Sequence, residues 1–218
     1  MPEGSNKAEQ YASMLEWFTK FIDRWNNNDF VQKNMDSTFN NLFVLCIKER
    51  NYPLAEEYYQ KLRPYISKKQ LEKGEEALAD IYVLSKTDGQ TASEQIKTIN
   101  QLKTDKAFSI VQEKRINLYL ENAWLEILNS KMTAGSFMDG YLLSLDALEQ
   151  LPLSPAIKKM NQSFYNNCIA EIHNSFALEA NNQNFETAIS ILEDGLEKFP
   201  GDKTLSKDLA DLKKFISQ

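Results

Sequence analysis

The sequence predicts an all-α fold, a single domain built as a stack of antiparallel helix hairpins, and three observations carry that prediction. Apolar residues recur at steps of three and four through nearly every segment of the 218-residue chain, the period of one helix face. The breaks between segments are short: 7 glycines and 6 prolines are scattered, and no run reads as a flexible linker. Finally, one set of spacings occurs three times. Phe185, Ala188, Leu192, Gly195 and Pro200 are matched by Phe137, Gly140, Ser144, Ala147 and Pro152, with Ser144 the weak member. Tyr52, Ala55, Tyr59 and Leu62 repeat the first four positions.

Residues 1–6 lack an apolar core and read as a disordered leader or an expression remnant. Over 7–25, Tyr11, Leu15, Phe18, Ile22 and Trp25 form one stripe along a helix, and Met14, Trp17 and Phe21 widen it. So broad an apolar surface predicts burial between two neighbouring helices, with a homodimer or partner contact as the alternative use of it. Asn26, Asn27, Asn28 and Asp29 then interrupt the pattern, because short polar side chains compete for backbone hydrogen bonds.

The first pair spans 36–65. Its first helix runs from Asp36 to Arg50 and carries Phe39, Leu42, Phe43 and Cys46; its second starts at Pro53, which suits a first helical turn, and stops before Pro64. The second pair, 68–103, is less regular. Leu71, Leu78, Ile81, Tyr82 and Leu84 mark a helix from Lys68 to Lys86, Asp88 and Gly89 make the turn, and Ala92, Ile96, Ile99 and Leu102 mark a shorter helix. The third pair, 106–151, has one long helix from Lys106 to Lys131, a break at Ala134-Gly135-Ser136 and a helix from Phe137 to Leu151. The fourth, 156–199, pairs Ala156–Asn181 with Phe185–Phe199. A last helix over 202–217 has Leu205, Leu209, Leu212 and Ile216 on one edge and lysine and aspartate elsewhere, as the cap of a helical array requires.

The recurring order of aromatic, small, large apolar, small and proline resembles the second helix of a tetratricopeptide repeat, over residues 36–218. Trp124, Ile127 and Leu128 stand at the spacing of that family's tryptophan, leucine and glycine. The resemblance implies a right-handed α–α superhelix whose first helices line a concave groove that holds an extended peptide or a partner's helix. In that register Asn40, Val44 and Lys48, then Asn122, Leu125 and Asn129, then His173 and Ala177 point into the groove. Asparagine amides there could pair with the backbone of an extended peptide, since each offers two donors and an acceptor. Val44 and Ala170 stand where the family's chaperone-tail binders carry asparagine and lysine, which argues against that adaptor role.

Composition narrows the function further. The formal charge of −6 argues against nucleic acid as a partner, because phosphate neutralisation needs a basic face. The best local cluster, Lys61, Arg63, Lys68, Lys69 and Lys73, reads as solvated helix ends. Cys46 and Cys168 are far apart in apolar runs and read as small core residues. A single histidine, His173, leaves no paired Glu-x-x-His metal arrangement, and the dispersed glycines form no phosphate loop. No segment approaches ~18 uninterrupted apolar residues, so no membrane insertion and a cytoplasmic location are expected; a signal peptide or anchor removed earlier is compatible with both.

The function expected is therefore a non-enzymatic protein–protein interaction module without metal or cofactor. A sensing domain that takes a small molecule or signalling peptide in its groove is the alternative. A third reading, an enzyme on a helical toroid, would need acidic and aromatic residues gathered in one cavity.

Overall fold

The computed structural model describes residues 7–22 and 28–217, with the side chains of Phe21 and Ile22 left out. Trp25, the asparagines at 26 and 27, and the proposed leader at 1–6 lie outside the described residues. Every regular element among the described residues is an α-helix. In chain order these are α1 (Lys7–Ile22), α2 (Asp29–Glu49), α3 (Tyr52–Leu62), α4 (Lys68–Thr87), α5 (Ala92–Asp105) and α6 (Ile110–Thr133). They continue with α7 (Phe137–Gln150), α8 (Pro155–Asn181), α9 (Phe185–Lys198) and α10 (Lys203–Ile216). None is long and apolar enough to cross a membrane. The chain forms two compact units, Met1–Trp124 and Leu125–Gln218.

Two helix starts differ from the sequence expectation. α2 begins at Asp29 and not at Asp36, because the Asn28 side chain accepts from the N–H groups of Phe30 and Val31 and so caps a helix where the sequence suggests a break. α6 begins at Ile110 and not at Lys106. Lys106 is held by Tyr52 and by Glu56 at 3.1 Å, and Phe108 lies 5.8 Å from the Tyr82 ring, so the preceding segment is tied to α3 and α4. Ser109 and Gln112 then exchange side-chain and backbone hydrogen bonds at the new start.

In the first unit α1 packs on α2, α2 on α3 and α4, α3 on α4, and α4 on α5. Leu15, Met35, Phe39, Leu42, Cys46, Ala55, Leu62 and Ile81 make the interior. α1 contributes through Ala8, Ala12 and Leu15, with Tyr11 and Phe18 partly buried against the same core. Met14 is 41% exposed and Trp17 56%, so the broad apolar surface expected to lie between two helices is covered on one side. Gly74 of α4 sits where an added β-carbon would come within 3.1 Å of the Phe39 and Tyr59 rings, which is why α4 can approach both α2 and α3. Carboxylates knit these helices together. Glu75 accepts from the Tyr59 and Ser109 hydroxyls, each at 2.8 Å, and Asp80 accepts two N–H groups of Arg115 at 2.5 and 3.0 Å.

In the second unit α7 packs on α8, α8 on α9, and α10 on both α8 and α9. The repeated small positions are contacts between helices: Gly140, Ser144 and Ala147 are buried on α7, and Ala188 and Gly195 on α9. The weak member, Ser144, is tolerated because its hydroxyl donates to the Tyr141 carbonyl and accepts from Asn161 at 2.9 Å, so no buried polar atom is stranded. Tyr141, Tyr165 and Phe199 form a ring cluster, with Phe199 5.3 Å from Tyr141 and 5.4 Å from Tyr165. α10 buries Leu205 and Leu212 and exposes most of its lysines; Ile216, expected on the dry edge, is 43% exposed.

Candidate functional site

The side-by-side packing of α2 and α4 leaves a cleft of about 50 Å³. Phe39 and Phe43, one turn apart on α2 with ring centroids 4.4 Å apart, form its floor. The residue after each, Asn40 and Val44, is exposed and forms one rim. Gln70, Lys73 and Gly74 of α4 form the other. Such a volume holds a small aliphatic side chain or a water or two, and no aromatic ring. One polar atom of these lining residues is unusual. The side-chain oxygen of Gln70 is buried and receives no hydrogen bond among the described residues. A buried acceptor left unpaired costs ~1–3 kcal/mol unless a donor reaches it.

The structure brings Asn40 and Val44 together in this cleft, while Lys48, a further turn along α2, is exposed beyond it. Asn122 and Asn129 are exposed on α6 at a seven-residue spacing, and Leu125 between them is half-buried. His173 is 46% exposed at its side chain, but its Nδ1 lies 2.7 Å from Asp208 of α10 and its ring is edge-on to Phe176. Much of its capacity to bind is therefore spent inside the unit; Ala177 beside it is half-buried. In the basic cluster, Lys61 is engaged with Glu57 at 2.5 Å and Lys73 reaches the cleft rim.

Sequence reasoning missed the α4 half of the cleft. Its signal was Gly74, a lone glycine inside a helical pattern, which usually marks close packing. Nothing in the pattern distinguished Gln70 from a solvated glutamine, since the difference depends on which helix packs beside it.

Neither cysteine is placed as a nucleophile. Cys46 and Cys168 are both buried, and burial, helped by Glu49 and Glu171 respectively, pushes each thiol up to about 11. A thiol so placed supplies almost no thiolate near neutrality. Among the described residues no group of three His, Cys, Asp or Glu side chains is placed to hold a metal ion. Comparison with known proteins gives no match to a family model and none to a curated protein.

Proposed function

We propose that this chain is a non-enzymatic interaction module, a right-handed helical-repeat array of tetratricopeptide type that binds an extended peptide or a partner's helix along its first helices. The observation that carries this reading is the α2–α4 cleft, lined by exposed Asn40 and Val44 on one side and on the other by Gln70, whose side-chain oxygen is unpaired among the described residues. A bound backbone N–H would satisfy Gln70, the Asn40 amide would pair with a neighbouring peptide group, and a small aliphatic side chain would fill the apolar floor. Affinity would then rest on these few desolvated contacts and not on total area.

The test is selection of peptides from a displayed random library on the full chain, followed by affinity measurement with wild type, Gln70→Met and Val44→Arg. Gln70→Met keeps the volume and removes the acceptor. The reading expects peptides with a recurring small aliphatic residue whose affinity falls at least about tenfold with either variant, the loss of roughly one good contact. Failure to select any peptide, or affinity unmoved by both substitutions, defeats it.

A further inference from the structure

The second unit carries a larger cleft, about 480 Å³, independent of the first. Ile172 of α8, Ile191 of α9 and Met138 of α7 give it an apolar lining, and Cys168 and Gly195 form its floor. Lining positions run from 168 to 175 on α8 and from 191 to 198 on α9, at steps of three and four. That is two turns of each helix, ~10 Å of groove between side-by-side helices, the arrangement that receives a third helix by its i, i+3, i+4, i+7 stripe.

The charges on the rim choose the occupant. Glu171 and Asp194 are exposed on opposite walls, and neither has a hydrogen-bond or ion-pair partner among the described residues. Glu193, next in sequence to Asp194, is by contrast already paired with Lys213 at 2.8 Å. The field of Glu171 reaches the floor, where after burial it is the next influence raising the Cys168 thiol. Lys198, the one cation among the described lining residues, lies in the last turn of α9, where the negative end of the helix offsets its charge. Residues 125–218 together hold thirteen carboxylate side chains against eight lysines and no arginine.

We propose that this cleft docks an amphipathic helix of a partner protein, one that carries lysine or arginine beside its apolar stripe. The apolar face fills the groove over Ile172, Ile191 and Met138, and the basic flanks pair with Glu171 and Asp194. A displayed library of short amphipathic helices, with lysine, serine or glutamate permitted at the flanking positions, is selected on the full chain, and recovered helices are measured by fluorescence anisotropy. Lysine should dominate the flanks. Affinity should fall at least about tenfold in a Glu171→Lys, Asp194→Lys double variant and weaken with added salt. Gln70→Met should leave it unchanged, which separates this cleft from the α2–α4 cleft. Both rim residues are exposed, so the double variant should keep its helical circular dichroism. Serine or glutamate flanks, binding indifferent to the charge reversal, or recovery of no helix at all would overturn the proposal.

Discussion

Phe164 of α8 occupies the space that a β-carbon on Gly140 of α7 would need: the ring lies well inside van der Waals contact of that position. The glycine therefore sets the spacing of the α7–α8 hairpin. Phe164 is fully buried, so the ring has no solvent to retreat into.

Gly140→Ala should accordingly destabilise the second unit, although alanine is the better helix former by ~1 kcal/mol. Overpacking of a tight contact costs ~1–3 kcal/mol, and here the conflict involves three ring atoms at once. The melting temperature should fall by a few degrees. Gly74→Ala is the internal comparison, since its nearest neighbours stand at 3.1 Å and need move only slightly. Equal melting temperatures for the two variants would show that hairpin spacing is not set at Gly140.

The link between Tyr165 and Asp202 makes α10 acid-sensitive. Burial alone would raise the Asp202 carboxyl, but the Tyr165 hydroxyl and the N–H groups of Leu205 and Thr204 outweigh it and hold the group below its ordinary 3.8. A carboxyl depressed by folding stabilises above its unfolded value, and that contribution is lost as the pH falls through the lower folded value. Tyr165 is the mirror case. Its hydrogen bond to Asp202, with burial, pushes it up to about 12 from 10.0, so its contribution is present below pH 10.0 and lost as the pH climbs toward 12. Tyr165→Phe should cost ~1 kcal/mol at neutral pH. Denaturant titrations should show the deficit closing at acid pH, once Asp202 is protonated; a deficit constant from neutral to acid pH would rule the link out.

Much of the fold was legible because its signals are local. The period-3.6 stripes and the punctuation at Pro53, Gly89, Gly135 and Gly201 located α3 to α5 and α7 to α10 within a residue or two. The misses at α2 and α6 have one cause: a cap or a tertiary tie decided the boundary, and neither is a property of composition. Asn28 reads as a breaker until it is seen accepting two N–H groups, and Lys106 reads as helical until Tyr52 and Glu56 are seen to hold it. The candidate sites were half legible. Asn40 and Val44 follow from the repeat register, whereas Gln70, Glu171 and Asp194 gain meaning only from the helix that packs beside each one.

Asp80 and Arg115 offer an asymmetric test of the first unit. The Asp80 side chain is 12% exposed and that of Arg115 40%, so the two cannot lose their partner at equal cost. Arg115→Met strands a nearly buried carboxylate whose remaining neighbour is Tyr119, a hydroxyl itself pushed up to about 12 by burial and by the Asp80 charge. Asp80→Ala leaves a guanidinium that can turn to water. The first substitution should cost ~1–3 kcal/mol and the second less, with the double variant recovering part of the loss. Denaturant titration of the four proteins of the cycle gives these values, and a larger loss for Asp80→Ala would mean that packing, and not the stranded charge, dominates.

Gln70→Met separates stability from recognition at one atom. If the buried oxygen is kept for a ligand, the free protein carries its desolvation cost unrewarded, and methionine of similar volume removes that cost without opening a cavity. The melting temperature of the free variant should equal or exceed that of wild type. Loss of peptide binding in the same variant would then mark Gln70 as a residue retained at the expense of stability, as binding residues commonly are. A fall in stability would instead mean that Gln70 finds a donor in solution, an ordered water bridging it to the α2 rim, and the cleft would lose the feature that argues for a peptide.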